Sequence, residues 1–342
     1  MLTVQTGSRL HLGLLSLCRR GDYWNDRNGM PLVGARRFGG VGLMLDGLGV
    51  TLQVEPATDW CFEGPLSGRV SAFVDYLREA LGPDQGPPRR IVVEKSPPEH
   101  VGLGTGTQLG MAVAQALTTS WGRDYPLEHL ALWTKRGLRS ALGVHGFARG
   151  GFVVEAGQGQ QESLSPLVAQ LRFPETWRVL FILPQTGEGC HGPAEHLAFR
   201  DLTIPPEASD SLCRLVLLGM LPAVQEGDFR SFSQTVWDFN ARVGEWFAPY
   251  QGGAYSRSSV HEIVSYLRGK GVNGTGQSSW GPGVFAFQEN PDQAEHTAKH
   301  TRELIGDRGE IWICEARNRA ADLILTEGKG GGSAKKETNP DS

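Results

Sequence analysis

Residues 102–108 read Gly-Leu-Gly-Thr-Gly-Thr-Gln and sit between two segments of opposite character. Upstream, Arg90-Ile91-Val92-Val93-Glu94 is β-branched and short, as a strand requires. Downstream, Leu109, Met111, Ala112, Val113, Ala116 and Leu117 supply the apolar density of a buried helix. Gly102, Gly104 and Gly106 allow backbone angles closed to other residues and leave room for a ligand to approach. The helix that follows offers unpaired N–H groups and the positive end of its dipole. Together these features predict an anion site, most often one for phosphate. Thr105 and Thr107 add hydroxyls, and either one can serve as the N-cap. A glycine-rich capped loop with no ligand has the same local pattern, so the rest of the chain has to decide.

A chain of 342 residues is long for one core and suits two domains. With 39% hydrophobic and 20% charged residues it is a globular protein. Its formal net charge of −4 argues against a nucleic-acid partner. Cys18, Cys61, Cys190, Cys213 and Cys314 are scattered, odd in number and form no CxxC, which argues against a disulfide framework and a structural zinc site and fits a reducing, cytoplasmic setting. No apolar run approaches the ~20 residues of a membrane span, and the first residues lack a signal pattern.

Along the chain, residues 2–6 and 8–17 read as a strand pair or one bent strand. Arg9 and His11 share one face, opposite Leu10, Leu12 and Leu14. Arg36-Arg37 precedes Gly39-Gly40, a basic turn able to hold an anion. Val41 to Val54 predicts two strands broken at Asp46-Gly47, and Ser67 to Leu81 an amphipathic helix. Pro126 to Leu142 predicts one helix whose late Lys135, Arg136 and Arg139 suit its dipole, followed by a glycine-rich connector over 143–151. Phe152–Glu155 and Trp177–Leu183 read as strands, and the aromatics from Trp237 to Phe247 as packing for a helical layer. The tail from Gly328 has a disordered composition. The alternation predicts an α+β chain of two lobes with a ligand cleft between them.

Four stretches beyond the first loop carry a family pattern in order. They are Ser8-Arg9-Leu10-His11-Leu12-Gly13-Leu14, Arg37-Phe38-Gly39-Gly40-Val41-Gly42-Leu43, His191-Gly192-Pro193-Ala194-Glu195 and Gly276-Gln277-Ser278-Ser279-Trp280-Gly281-Pro282. With Pro98 and Gly102 to Gln108, the chain resembles the GHMP kinase superfamily, and within it the β-ribofuranosylaminobenzene 5′-phosphate synthases. Two departures stand out: Gly7 replaces a usual proline, and residues 143–150 lack the aspartate many GHMP kinases carry there.

The resemblance implies a two-lobed GHMP-kinase-like fold. A ribosomal S5 domain 2-like lobe would span 1–160, a ferredoxin-like lobe 161–327, and a tail 328–342. It also implies transfer of a ribosyl phosphate from phosphoribosyl pyrophosphate to 4-aminobenzoate or 4-hydroxybenzoate, with loss of pyrophosphate and carbon dioxide, early in methanopterin-type cofactor synthesis. Phosphate and substrate would fall to Arg9, Arg37, Gly102, Leu103, Gly104, Thr105, Gly106, Thr107, Gln108, Ser278 and Ser279. His11, His145 or His191 would act as base, and Glu188 or Glu195 would face the cation-like sugar carbon. Magnesium would arrive with the pyrophosphate, with no dedicated metal cage and no organic cofactor. The expected partners are these small molecules, with a homodimer as the candidate assembly. An ATP-dependent small-molecule kinase and a silent phosphate-binding relative are the alternatives.

Overall fold

The computed structural model describes residues 1–16, 36–159, 164–185 and 206–326. In chain order come β1 (Leu2–Gln5), β2 (Ser8–Leu14), β3 (Gly40–Leu45), β4 (Thr51–Pro56), β5 (Cys61–Glu63), α1 (Ser67–Leu81), β6 (Arg89–Lys95), α2 (Thr105–Ser120), α3 (Leu127–Trp133), α4 (Leu142–Arg149), β7 (Phe152–Glu155), β8 (Leu167–Leu171) and β9 (Arg178–Pro184). Then follow α5 (Pro206–Leu215) and α6 (Leu221–Glu226), joined by a wide helical turn, α7 (Phe229–Gln251), α8 (Ser258–Gly269), β10 (Thr275–Gln277), β11 (Val284–Gln288), α9 (Pro291–Ile305), β12 (Gly309–Cys314) and β13 (Asp322–Leu325). The result is a two-lobed α+β fold built on three sheets, ordered β13-β1-β4-β6-β5, β2-β3-β7-β8 and β10-β11-β9-β12.

Each core follows from periodicity. The stripe Val70, Phe73, Val74 and Leu77 of α1 packs with α2 on the first sheet, against Leu2, Val4, Leu52 and Val54. Alternate residues of β9 feed two cores. Val179 and Phe181 join the aromatic interior of Phe152, Phe173, Phe232 and Phe287, whereas Leu180 and Ile182 meet α8 and α9. That two-sided burial explains why the strand reads as a continuous apolar run. After β12 the chain returns to the first sheet, where β13 pairs with β1. Arg317, 2% exposed, anchors that return through Asp46 at 3.0 Å and Asp322 at 2.9 Å.

Two expectations need correction. The helix predicted over 126–142 stops at Trp133, and a turn with positive φ at Lys135 and Gly137 separates it from α4. The glycine-rich stretch predicted as a connector is α4 itself. Its glycines permit close packing: a Cβ on Gly143 would lie 3.0 Å from Thr107 Cγ2, and one on Gly146 2.3 Å from Met44 Sδ. Each glycine costs a helix about 1 kcal/mol against alanine, which the tight contacts with α2 and β3 offset.

Candidate active site

The loop before α2 has the geometry of an anion cradle. Gly102 and Gly104 adopt φ of 93° and 67°, and Gly104 is the residue that starts the helix. Neither predicted threonine caps it. Thr105 instead donates its hydroxyl to the Pro98 carbonyl at 2.9 Å, folding the loop back on itself. The amides of Thr107 and Gln108 turn in to the Gly104 carbonyl. Those of Thr105 and Gly106, in the first turn, have no intrahelical acceptor and mark the positive end of the dipole.

Strand β2 lies against this loop. The Arg9 amide donates to Leu103 O at 2.9 Å, and the Arg9 side chain lies across Gly104, where a Cβ would come within 3.0 Å of its Nε. Ser278 joins a third segment. Its hydroxyl donates to Gly102 O at 2.7 Å and accepts from the His11 amide at 3.0 Å. A Cβ on Gly102 would strike Ser278 O at 2.5 Å, so close backbone approach, besides φ, demands glycine there.

A cleft of about 550 Å³ opens over the loop, and its two halves differ in chemistry. One half is basic, with Arg9, Arg69, Lys135, Arg136 and Arg139 in a chain of net charge −4. Side chains converge on Gly106: Arg69 Nη2, Arg136 Nη1 and Glu99 Oε1 all lie within 3.5 Å of where its Cβ would be. Arg69 pairs with Glu99 at 3.4 Å. Arg136 stacks over Phe73 at 5.0 Å, and burial, followed by the neighbouring Arg69 charge, lowers its pKa below the ordinary guanidinium value. Lys135 sits 3.7 Å over the Tyr76 ring. The other half is apolar, formed by Leu14, Phe38, Val243, Phe247 and Trp280, the last two edge to face at 4.7 Å. His11 lines the same cleft at 5% exposure. Burial, and then the charge of Arg9, hold its pKa well below the usual imidazole range, so the ring is neutral; its Nδ1 has no hydrogen-bond partner among the described residues.

The structure thus brings Arg9, His11, Gly102, Gly104, Thr105, Gly106, Thr107 and Ser279 to one cleft. Leu103 packs into the core, and Gln108 spends its amide on Gly143 O at 2.8 Å. Ser278 is fully buried and binds the segments together rather than facing the cleft. Arg37 lies outside the lining, with its guanidinium 4.8 Å over the Phe38 ring. His145 is turned away to Ser165 O at 2.7 Å. Glu188, His191 and Glu195 fall outside the described residues. Sequence reasoning missed Arg69, Arg136, Phe247 and Trp280. Arg69 looked like an ordinary polar position of α1, the late cations looked like dipole partners of a longer helix, and Phe247 looked like packing.

Comparison with known proteins accords with this geometry. Residues 69–151 match the GHMP kinases N terminal domain. Over 94% of this chain and 98% of the other, the sequence is 28% identical to the β-ribofuranosylphenol 5′-phosphate synthase of Methanothermobacter thermautotrophicus. It is 27% identical to the enzyme of the same name from Archaeoglobus fulgidus, over 94% and 99%. The chain is similar to these synthases over almost its whole length. It is therefore a transferase on a GHMP kinase fold. A solved 4-(cytidine 5′-diphospho)-2C-methyl-D-erythritol kinase superposes with a TM-score of 0.58 at 21% identity, covering 92% of this chain and 99% of that one, a likeness of fold alone. Among the described residues no helix is long and apolar enough to cross a membrane.

Proposed function

We propose that this synthase-like chain transfers ribose 5-phosphate from phosphoribosyl pyrophosphate to a 4-substituted benzoate, releasing pyrophosphate and carbon dioxide. The observation that carries this reading is the convergence of Arg69, Arg136 and the start of α2 on Gly106, beside an aromatic wall. A pyrophosphate seated there meets charge that grows as the sugar C1–O bond breaks, and one such preorganised donor is worth about 3 kcal/mol in the barrier. The ring lies against Phe247 and Trp280. Its carboxylate-bearing carbon attacks C1, and the bond to the carboxylate then breaks, returning its electron pair to the ring as carbon dioxide leaves.

Arg9 and His11 lie two residues apart on one strand face, a rise of about 7 Å. That spacing is comparable with the span of a para-substituted ring. Arg9 holds the carboxylate, and neutral His11 takes the proton of the 4-substituent, which raises electron density at the attacking carbon. The relatives are named for a phenol product, which favours 4-hydroxybenzoate over 4-aminobenzoate. Glu188 or Glu195 would face C1, with His191 as a further base. Magnesium would enter on the pyrophosphate and offset its charge; Glu99, the carboxylate at Gly106, is the side chain to hold it.

Carboxyl-labelled 4-hydroxybenzoate and 4-aminobenzoate, each with phosphoribosyl pyrophosphate and magnesium, test the proposal. Labelled carbon dioxide with matching pyrophosphate is the expected result. No release across a panel of 4-substituted benzoates overturns it. ADP formation from ATP and an alcohol would establish the kinase alternative, and calorimetric binding without turnover the silent relative.

A further inference from the structure

A second cavity, of about 510 Å³, lies at the amino-terminal end of α7, and no described residue lines both it and the cleft. Two buried polar side chains line it with atoms that have no partner. Among the described residues, Gln288, 5% exposed, has no acceptor for its Nε2, and Ser233, 2% exposed, has no bond to its Oγ. The other end of the Gln288 amide is engaged, because Oε1 accepts from Thr297 Oγ1 at 3.3 Å. The NH₂ group is therefore the end left to bind a ligand, and it can only donate. Arg230, in the first turn of α7, and Lys270, just after α8, line the same cavity, and Phe287 adds an apolar surface. Asp292 is the one acid among its described lining residues.

Donors left without acceptors are costly in a folded protein and point to a missing partner. Here the donors sit beside two cations, so the missing partner is an acceptor bearing negative charge. We propose that this cavity binds a small metabolite through a single phosphate or carboxylate group. Asp292 works against an extended polyanion. The proposal stands independently of the transferase reading. The same helix runs on to Asn240, Val243 and Phe247 in the cleft, so an occupant here touches an element of the active site.

The test is a side-chain amide NMR titration of the full chain with inorganic phosphate and, separately, with acetate. The Gln288 signal is assigned as the one lost in Gln288→Leu. A saturable shift with either anion is expected, weakened about tenfold or more in Arg230→Ala/Lys270→Ala. A shift with only one anion tells phosphate from carboxylate chemistry within the proposal. No shift with either anion overturns it, as does a saturable shift that the double variant leaves unchanged. Should Gln288→Leu fail to fold, tungstate soaked into crystals of the full chain decides: anomalous density between Gln288 and Arg230 supports the site, and its absence there overturns it.

Discussion

The hydroxyl of Ser278 donates to the carbonyl oxygen of Gly102 at 2.7 Å, across 176 positions of sequence. Because the Ser278 hydroxyl oxygen also accepts from the His11 amide, one small side chain fixes β2, the glycine loop and the β10–β11 turn relative to one another. Ser278→Ala would leave a half-buried carbonyl and a buried amide without this partner, a loss of about 1–3 kcal/mol. Urea denaturation should show that loss. Turnover should fall further than stability alone explains, because Arg9 and His11 lose their register with the loop.

Arg69 and Arg136 are expected to hold the leaving pyrophosphate. Alanine at either position should raise the Kd for phosphoribosyl pyrophosphate about tenfold or more, with the thermal midpoint little changed for Arg69, which is partly exposed. Titration calorimetry at low and high salt checks this. The wild-type affinity should weaken with salt and the Arg69→Ala affinity less so, since the removed term is electrostatic.

Phe247 belongs to the opposite half. Phe247→Ala should raise KM for the benzoate about tenfold, the scale of one aromatic contact and its buried area, and leave the Kd for phosphoribosyl pyrophosphate unchanged. Initial-rate kinetics with each substrate varied in turn separate the two. Equal effects on both would show that the halves do not divide the substrates.

Glu155 shows how stability should respond to pH. It accepts from Ser140 Oγ at 2.6 Å and from the Ala141 amide at 2.7 Å, beneath the turn that carries Lys135, Arg136 and Arg139. Burial pushes its pKa up from 4.5 to about 7, against the pull of those hydrogen bonds. The folded state therefore binds the proton more tightly than the unfolded chain. The stability this contributes is complete below about pH 4.5 and lost as pH rises through about 7, some 3 kcal/mol in all. His11 acts in the opposite sense. Its folded pKa is depressed, so its contribution is present above the usual 6.5 and lost as pH falls towards the folded value. Denaturation midpoints of wild type and Glu155→Gln from about pH 5 to about pH 8 separate the two. The variant should lack the decline on the alkaline side and keep the His11 loss on the acid side.

Much of the fold was legible because it is local. The apolar stripe of Ser67–Leu81 and the break at Asp46-Gly47 agree with α1, β3 and β4. The part that misled was the stretch from Pro126 to Gly151. There the cations suggested one long helix and the glycines a connector, while α4 depends on contacts from Thr107 and Met44 that no window of sequence contains.

For the site, sequence by itself determined the phosphate-type loop between strand and helix, and the shared face of Arg9 and His11. Both follow from glycine backbone freedom and the two-residue period of a strand. Tertiary structure alone decided that Arg69 from α1 and Arg136 from the α3–α4 turn meet at Gly106, that Phe247 and Trp280 build the aromatic wall, and that Arg37 lies against Phe38 instead of in the cleft. Local spacing specifies which way a side chain points within its own element. Which distant element it then meets depends on how the sheets and helices pack, and that is a property of the whole chain.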